Sequence, residues 1–260
     1  MIYKDQLNRE LNLIETPKRI VSLVPSQTEL LVDLGLETLI IGITKFCIHP
    51  KHLRKEKTVV GGTKSIHIEK IKALKPDIIL CNKEENSLEI VEGIEGIAPV
   101  HISDIYNLDD AFELIKMYGE LFQVEVKSEA LISKIKSERK QFKLKTKNQP
   151  KLKAAYFIWR KPWMVAGSNT FINAMLLEAN YTNVFSGLQR YPEIDLDDKN
   201  LQKAKIIFLS SEPYPFKEKH IDELQTKFLD KKIILVNGEL FSWYGSRLQF
   251  AFKYFKTLSI

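Results

Sequence analysis

Two side chains that could carry metal-binding or nucleophilic chemistry lie two residues apart, at Cys47 and His49. On an extended segment both would face one side of the chain, where a thiolate and an imidazole ligate metals or form a nucleophile and its base. No third ligand lies nearby in the sequence, and no family-specific cysteine signature surrounds the pair. A metal site, a nucleophilic pair and a hydrogen-bonding turn histidine before Pro50 therefore remain open interpretations.

A second polar segment follows an apolar run that ends at Val24. Ser26 precedes Glu29 by three residues, a spacing typical of a capping box at the start of a helix. The free N–H groups and the positive dipole end of such a helix suit a polar or anionic ligand group, which makes Ser26 and Gln27 candidate ligand contacts. The segment from Gly61 to Lys64 lacks the spacing of a P-loop, so we interpret it as a loop before the next helix.

Large aromatic side chains are concentrated in the second half of the chain, close to predicted strand ends and loops. They are Trp159, Trp163, Tyr191, Tyr214, Phe216, Phe241, Trp243 and Tyr244, and they include all three tryptophans. Flat side chains of this size at the rim of a site suit a large, partly apolar ligand such as a macrocycle. About half of them are expected to cover the ends of a sheet instead.

Acidic side chains follow predicted strands at Glu84, Glu85 and Glu212. Exposed carboxylates at such places either grip arginines of a partner protein or are simply solvated. They lie too far apart along the chain to predict a glycosidase pair.

These residues are positioned by strands and helices that alternate along the whole chain, a pattern that predicts α/β lobes with mainly parallel sheets flanked by helices. The predicted strands are 19–24, 39–43, 77–81, 99–102, 153–158, 205–209 and 232–236. The predicted helices are 26–34, 67–74, 88–94, 108–122, 168–178, 217–228 and 245–258.

One long helix divides this series. From Glu125 to Lys147 the chain has neither glycine nor proline, and apolar residues recur with a period near 3.6. At 1.5 Å per residue this helix is roughly 35 Å long. We therefore predict an N-terminal lobe at 1–122, a connecting helix at 123–149 and a C-terminal lobe at 150–260. Two such lobes would hold a small ligand in a cleft, at the loops that follow the strands.

The composition narrows the functional classes. The 260 residues carry a formal net charge of +6, but no recognition motif accompanies the charge, so nucleic acid is not expected as a partner. No apolar run reaches the ~18 residues of a membrane helix, so no membrane insertion is expected. The start shows no signal peptide, which predicts a cytoplasmic protein as written.

With these segments in place, the chain resembles the helical-backbone substrate-binding proteins of ABC transporters, a family of metal-chelate receptors for vitamin B12, siderophores and haem. The matching segments are Arg19–Leu30, Ile41–Ile43 with the loop to Pro50, Ile71–Ile79, Asn169–Phe185 and Ser242–Leu248. The Ala-Leu-Lys-Pro-Asp segment at 73–77, in order with Pro-Ser-Gln-Thr-Glu-Leu at 25–30, is fairly specific.

The resemblance implies a binding protein that is not an enzyme and has no covalent cofactor, lying in the periplasm or on the outer face of a membrane. It implies a metal chelate as ligand, nearest to cobalamin, with iron-siderophores or haem as alternatives. A cytoplasmic metabolic protein that uses Cys47 and His49 is a further alternative. The candidate ligand contacts are Ser26, Gln27, Lys45, Phe46, Thr63, Lys64, Trp159, Trp163, Tyr191, Trp243 and Tyr244. The implied contacts with an ABC permease are Glu84 or Glu85 and Glu212.

Overall fold

The computed structural model describes residues 1–258, and these residues divide into two compact units. The first unit comprises Met1–Asp104, Asp109–Ile135 and Tyr244–Arg247, and the second comprises Ile105–Leu108, Lys136–Trp243 and the chain from Leu248 onward. This division differs from the predicted lobes at three places: Ile105–Leu108 belong to the second unit, Tyr244–Arg247 belong to the first, and the predicted connecting helix is divided between the two units after Ile135.

The first unit contains a five-stranded sheet in which all the pairings are parallel, in the order β5-β4-β3-β6-β7. Its strands are β3 (Ile20–Ser22), β4 (Ile40–Ile43), β5 (Thr58–Val59), β6 (Ile78–Asn82) and β7 (Val100–Ser103), and a hairpin precedes them, formed by β1 (Ile2–Lys4) and β2 (Glu10–Asn12). The helices that lie wholly or partly in this unit are α1 (Pro25–Asp33), α2 (Leu53–Glu56), α3 (Ile68–Leu74), α4 (Leu88–Ile94), α5 (Leu108–Leu121) and α6 (Glu125–Thr146), with a 3₁₀ turn at Glu37–Leu39.

The second unit also has a mainly parallel sheet, in the order β10-β8-β11-β12, with β9 pairing antiparallel to β8. Its strands are β8 (Leu152–Trp159), β9 (Met164–Val165), β10 (Tyr181–Asn183), β11 (Ile206–Ser210) and β12 (Lys232–Val236). Its helices are α7 (Phe171–Glu178), α8 (Lys199–Lys203), α9 (Glu218–Gln225), α10 (Glu239–Ser242) and α11 (Leu248–Leu258).

The predicted fold class is confirmed, with parallel sheets flanked by helices and the long helix α6 at Glu125–Thr146. The apolar period of α6 has a clear structural basis, because Ile135 and Phe142 are completely buried. Phe142 packs against Phe252 and Phe255 of α11 at ring-centroid distances of 6.1 and 6.2 Å. None of the helices within residues 1–258 combines the length and the apolar character that crossing a bilayer requires.

The predicted capping box at Ser26 is wrong. Helix α1 begins at Pro25, its N-cap is Val24, and no side chain caps it. Proline suits the first turn of a helix because its missing N–H has no helical partner there. Glu29 is consequently inside the helix, where it bonds Arg247 instead.

The β1–β2 hairpin, which was not predicted from the sequence, contacts the outer edge of β7 through its turn. The Asp5 carboxylate accepts a hydrogen bond from the Ile102 N–H at 3.2 Å, and the Gln6 amide oxygen accepts one from the Asp104 N–H at 3.2 Å. An uncovered edge strand offers unpaired backbone groups to other chains. The hairpin therefore protects the first unit from edge-to-edge association.

His101 lies in the middle of β7, and its burial makes the stability of the first unit depend on pH. The residue is 1% exposed, and burial lowers the pKa of its imidazole to about 4 from its ordinary 6.5, against the charge of Asp5. As the pH falls below 6.5 the unfolded chain takes up a proton that the folded chain does not, so the free energy of unfolding decreases until about pH 4.

Between pH 6.5 and about pH 4, we expect His101 to lower the free energy of unfolding by up to about 1.4 kcal/mol for each pH unit. Urea denaturation of the wild type and of His101→Gln, followed by far-UV circular dichroism from pH 4 to pH 8, measures it. The difference in the free energy of unfolding between the two proteins gives the contribution of His101 alone, because the carboxylates are the same in both. A difference that does not change with pH would contradict the assignment.

Candidate ligand-binding site

The loops that follow the parallel strands gather the predicted side chains of each unit at one edge of its sheet. In the first unit, the Lys45 N–H donates to the Gly61 carbonyl at 2.7 Å, which joins the loop after β4 to the loop after β5. Lys45 and Phe46 are exposed, and the Lys45 ammonium lies 5.0 Å from the centre of the Phe46 ring. This edge presents a cation beside an apolar ring.

Thr63 and Lys64 belong to the same edge. The Thr63 carbonyl accepts a hydrogen bond from the Asn86 amide at 2.9 Å, and the Lys64 ammonium donates to the Glu84 carbonyl at 2.7 Å. The Asn82 side chain accepts the N–H groups of Glu84 and Glu85 at 2.9 and 3.1 Å, which forms the turn that carries both carboxylates. The predicted loops of the first unit are therefore one connected surface.

Gln27 is completely buried, and both ends of its amide are engaged. Its nitrogen donates to the Ser103 hydroxyl at 2.6 Å, and its oxygen accepts from the Tyr118 hydroxyl at 2.7 Å. Ser26 is 3% exposed and lies next to Tyr244, whose pKa burial raises well above its ordinary value. These three side chains form a buried polar layer beneath the loops, so they shape the surface from below.

Cys47 is a buried thiol in this structure. Its sulfur lies 3.2 Å from the Thr28 hydroxyl and 3.3 Å from the Thr44 hydroxyl, and burial raises its pKa. A nucleophile or metal ligand needs the thiolate, which a raised pKa disfavours at neutral pH. Within residues 1–258, the one set of three potential ligand groups close together is Glu37, His52 and Glu56, so Cys47 and His49 are not part of such a set.

In the second unit, four aromatic side chains form a continuous series that we name the aromatic ladder: Trp159, Tyr214, Phe216 and Trp163. Trp159 meets the edge of Tyr214 at 5.6 Å, Tyr214 meets Phe216 at 4.7 Å, and Phe216 stacks on Trp163 at 6.2 Å with only 9° between the rings. Trp159 is 39% exposed and Trp163 is half-buried. The ladder joins the end of β8 to the loop after β11.

The remaining aromatic candidates have different surroundings. Tyr191 is half-buried and lies 5.6 Å from the Arg190 guanidinium, whereas Trp243 is 9% exposed and Tyr244 is 6% exposed. The Trp243 indole N–H donates to a Glu212 carboxylate oxygen at 3.0 Å, and the Ser242 hydroxyl donates to the same oxygen at 2.6 Å. Glu212 is therefore oriented by two hydrogen bonds within its own unit.

The ion pair between Glu29 and Arg247 in the first unit was not predicted from the sequence. Arg247 donates from Nε to one carboxylate oxygen at 2.8 Å and from Nη2 to the other at 2.5 Å. Burial raises the pKa of Glu29, and the arginine opposes that rise. Because the two residues are 218 positions apart, no local sequence pattern indicates that they pair.

Residues 20–235 match the family model described as "Periplasmic binding protein". The chain belongs to this family. It is 31% identical over 180 residues to an uncharacterized ABC transporter substrate-binding lipoprotein of Bacillus subtilis, covering 66% of this chain and 57% of that relative. The chain thus spans little more than half the length of that member of the family.

Two further similarities agree with this membership. A vitamin B12-binding protein of Vibrio campbellii is 23% identical over 198 residues, covering 74% of this chain and 70% of the relative. The solved structure of a periplasmic haem-binding protein from Pseudomonas aeruginosa matches with a TM-score of 0.80 and 20% identity, covering 93% of this chain and 92% of the other. At that identity the second similarity establishes a shared fold.

Proposed function

We propose that this periplasmic binding protein is the substrate-binding component of an ABC-type uptake system and that its ligand is cobalamin or a related metal chelate. Haem and ferric siderophores are alternative ligands of the same class. The observation that carries the proposal is the aromatic ladder, because it offers flat apolar surface at the strand ends of the second unit. The names of relatives in the same family are consistent with it.

The exposed members of the predicted site match the chemistry of such a ligand. The conjugated ring of a macrocyclic chelate packs against Trp159, Trp163 and Tyr191, since flat apolar surfaces of this size bury well on indole and phenol rings. In the first unit, the ammonium groups of Lys45 and Lys64 are of the type that pairs with phosphate or carboxylate groups of a ligand. Phe46 and Thr63 add an apolar and a polar contact, while Ser26, Gln27, Trp243 and Tyr244 support the loops from within.

The proposed partner is the membrane permease of the same system. Glu84 and Glu85 stand on one Asx-type turn, and Glu212 is held by the donors of Ser242 and Trp243. The Glu212 carboxylate is already held in place, so it loses little side-chain freedom when it pairs with an arginine, which favours specific docking. In this role the chain delivers a ligand outside the cytoplasmic membrane and catalyses no reaction.

Titration of the purified protein distinguishes the ligand classes. Cobalamin, haem and a ferric siderophore are added separately, and binding is followed by absorbance and by calorimetry. We expect saturable one-to-one binding of one of these ligands at or below tens of micromolar. Failure of all three to bind at that concentration would overturn the proposed ligand class.

Truncation of the ladder tests the site itself. We expect Trp159→Ala and Trp163→Ala each to weaken binding of the identified ligand by about 1–3 kcal/mol, which is about five- to 150-fold, if the indoles are binding hot spots. Calorimetric titration of each variant measures the loss.

The matched control is Phe250→Ala, which removes a ring that is 48% exposed on α11 of the same unit. Its affinity should equal that of the wild type. Equal affinity of the wild type and both tryptophan variants would exclude the ladder as the ligand surface. Trp243 is a poorer probe, because its loss also removes a hydrogen bond from Glu212.

A further inference from the structure

The edge of the second unit's sheet where the strands begin lies opposite the aromatic ladder. Trp159 ends β8 and Tyr214 follows β11, whereas Lys151 and Lys205 directly precede the same two strands. With eight residues in β8 and about 3.3 Å per residue, roughly 25 Å separates the two edges. The edge where the strands begin is therefore a surface of its own, which the proposed ligand site does not use.

This second surface carries an excess of positive charge, and we name it the basic edge. It consists of the segments 145–153, 203–205 and 230–232, in which Asp230 is the one acidic residue. Its seven exposed lysines are Lys145, Lys147, Lys151, Lys153, Lys203, Lys205 and Lys232. The basic edge thus combines seven exposed ammonium groups with a single carboxylate.

Backbone hydrogen bonds bring three of these lysines side by side. The Lys205 N–H donates to the Lys153 carbonyl at 2.8 Å, and the Lys232 N–H donates to the Lys205 carbonyl at 3.0 Å. Since neighbouring strands lie about 4.8 Å apart, the three residues occupy a row of roughly 10 Å. The loop between α6 and β8 is held beside this row, because the Asn180 amide donates to the Gln149 carbonyl at 3.5 Å. The three segments therefore form one surface.

A buried lysine holds the basic edge together from within. Lys231 is 5% exposed, and its ammonium donates to the carbonyls of Gln202 and Ala204, both at 3.0 Å. These carbonyls lie at the end of α8, so the bonds join the start of β12 to the segment that precedes β11. Chain segments that are already held in place lose little freedom when a ligand binds to them.

The charge of the basic edge is not compensated within residues 1–258. Further along α6, Arg139 and Lys143 pair with Glu178, but none of the seven exposed lysines has an acidic partner within 4.0 Å. Helix dipoles favour cations at the ends of α6 and α8, which accounts for Lys145 and Lys203. The other five lie outside the helices, and their grouping is destabilising through mutual repulsion unless an anion binds.

We propose that the basic edge binds a linear polyanion that carries phosphate groups along its backbone. A row of ammonium groups suits repeated phosphates, because each lysine is a compact cation on a flexible stem. The three segments contain no aromatic residue, so they offer the bases of a nucleic acid no surface for stacking, and the phosphates alone are recognised.

The choice of a polymer over a membrane surface rests on the proposed function. If the ligand edge of the second unit faces a membrane permease, the basic edge at the other end of the same strands faces away from that membrane. A polymer outside the membrane can then occupy the basic edge while the ligand edge is docked.

Long-chain inorganic polyphosphate is the probe, added to the whole chain and followed by calorimetry. We expect saturable binding that weakens about tenfold between about 50 and 100 mM salt, because about five engaged phosphates give a slope near −3.5 in a plot of log K against log salt. Absence of binding at the lower salt concentration, or binding that does not depend on salt, would overturn the proposal.

A triple variant tests the location. Lys153→Gln/Lys205→Gln/Lys232→Gln removes the row of three ammonium groups at exposed positions. It should bind polyphosphate about tenfold more weakly or worse, and the salt slope should become shallower by about 2, since three phosphate contacts are lost. Unchanged affinity and slope would exclude the basic edge as the binding surface.

The matched control lowers the net charge by the same amount elsewhere. Lys55→Gln/Lys70→Gln/Lys72→Gln changes three exposed lysines of the first unit and should keep the wild-type salt slope, because charges beyond a Debye length are screened. Equal losses in the two triple variants would show that net charge alone is responsible. Trp159→Ala, at the opposite edge, should leave polyphosphate binding unchanged, so this test does not depend on the identity of the chelate ligand.

Vesicles distinguish a polymer from a membrane surface. Sedimentation with vesicles of phosphatidylglycerol and phosphatidylcholine measures binding to anionic headgroups. We expect weaker binding per accessible phosphate than with polyphosphate, because a flexible polymer can align its phosphates with the row of lysines. Vesicle binding as tight as polyphosphate binding, and lost in the triple variant of the basic edge, would assign this surface to lipid headgroups and overturn the proposal.

Discussion

Arg247→Met should lower the free energy of unfolding of the first unit by about 3 kcal/mol at pH 7, because it leaves the Glu29 carboxylate buried without its partner. The two side chains are 13% and 11% exposed, and the arginine contacts both carboxylate oxygens. Far-UV circular dichroism during urea denaturation measures the change. Tryptophan fluorescence does not report on this unit, since all three tryptophans lie in the second.

Two control variants distinguish the effect of losing the ion pair from the effect of losing a long side chain. Lys18→Met breaks an ion pair with Glu15 whose side chains are 64% and 69% exposed, and it should cost less than about 1 kcal/mol. The double variant Glu29→Gln/Arg247→Met removes both charges and should regain much of the lost stability. The deficit of Arg247→Met should also shrink as the pH falls, because protonation then neutralises Glu29. A deficit that is the same for Arg247→Met and the double variant at every pH would show that the charge pair is not its cause.

Gly61→Ala should also lower the free energy of unfolding by about 3 kcal/mol, because backbone strain and overpacking add at this position. Gly61 has a φ angle of +129°, and a Cβ atom there would lie 2.5 Å from the Ser65 carbonyl oxygen and 2.7 Å from the Ile66 Cα. Its own carbonyl accepts the Lys45 N–H. We therefore expect weaker binding of a ligand that uses Lys45, Thr63 and Lys64, as well as a lower free energy of unfolding.

Gly96→Ala is the matched control, because nothing lies within 4 Å of a Cβ atom built at that glycine and its φ angle is ordinary. It should be neutral or stabilise the first unit by about 0.4–1 kcal/mol, through the reduced freedom of the unfolded chain. Urea denaturation and ligand titration of both variants check the pair. Equal stability of Gly61→Ala and Gly96→Ala would mean that the loop after β5 adjusts to a side chain at little cost.

Much of the architecture was predictable because strands and helices leave local periods in a sequence. The helix at Leu88–Ile94 and the strand at Lys232–Val236 have their predicted bounds, and α6 ends one residue before its predicted end. Some short elements escaped prediction because their sequences contain neither a sustained apolar run nor a clear period. The hairpin of β1 and β2 and the short helix α8 are examples.

For the candidate site, the sequence predicts which loops lie together but not which side chains contact each other. Parallel strands place the loops that follow them at one edge, so the grouping of Lys45, Thr63 and Lys64 follows from the order of the elements. The contact of Lys64 with the Glu84 carbonyl and the stacking of Trp163 on Phe216 depend on side-chain geometry. A sequence carries no comparable signal for either.

The sequence by itself determined the alternating α/β pattern, the long helix and the strand-end loops that offer lysines in one unit and aromatic rings in the other. Only the tertiary structure decided which of these side chains are accessible. It buries Gln27, Cys47, His101 and Trp243, and it pairs Glu29 with Arg247 across 218 positions. The physical reason is that periodicity arises from neighbours along the chain, whereas burial and pairing arise from segments that only folding brings together.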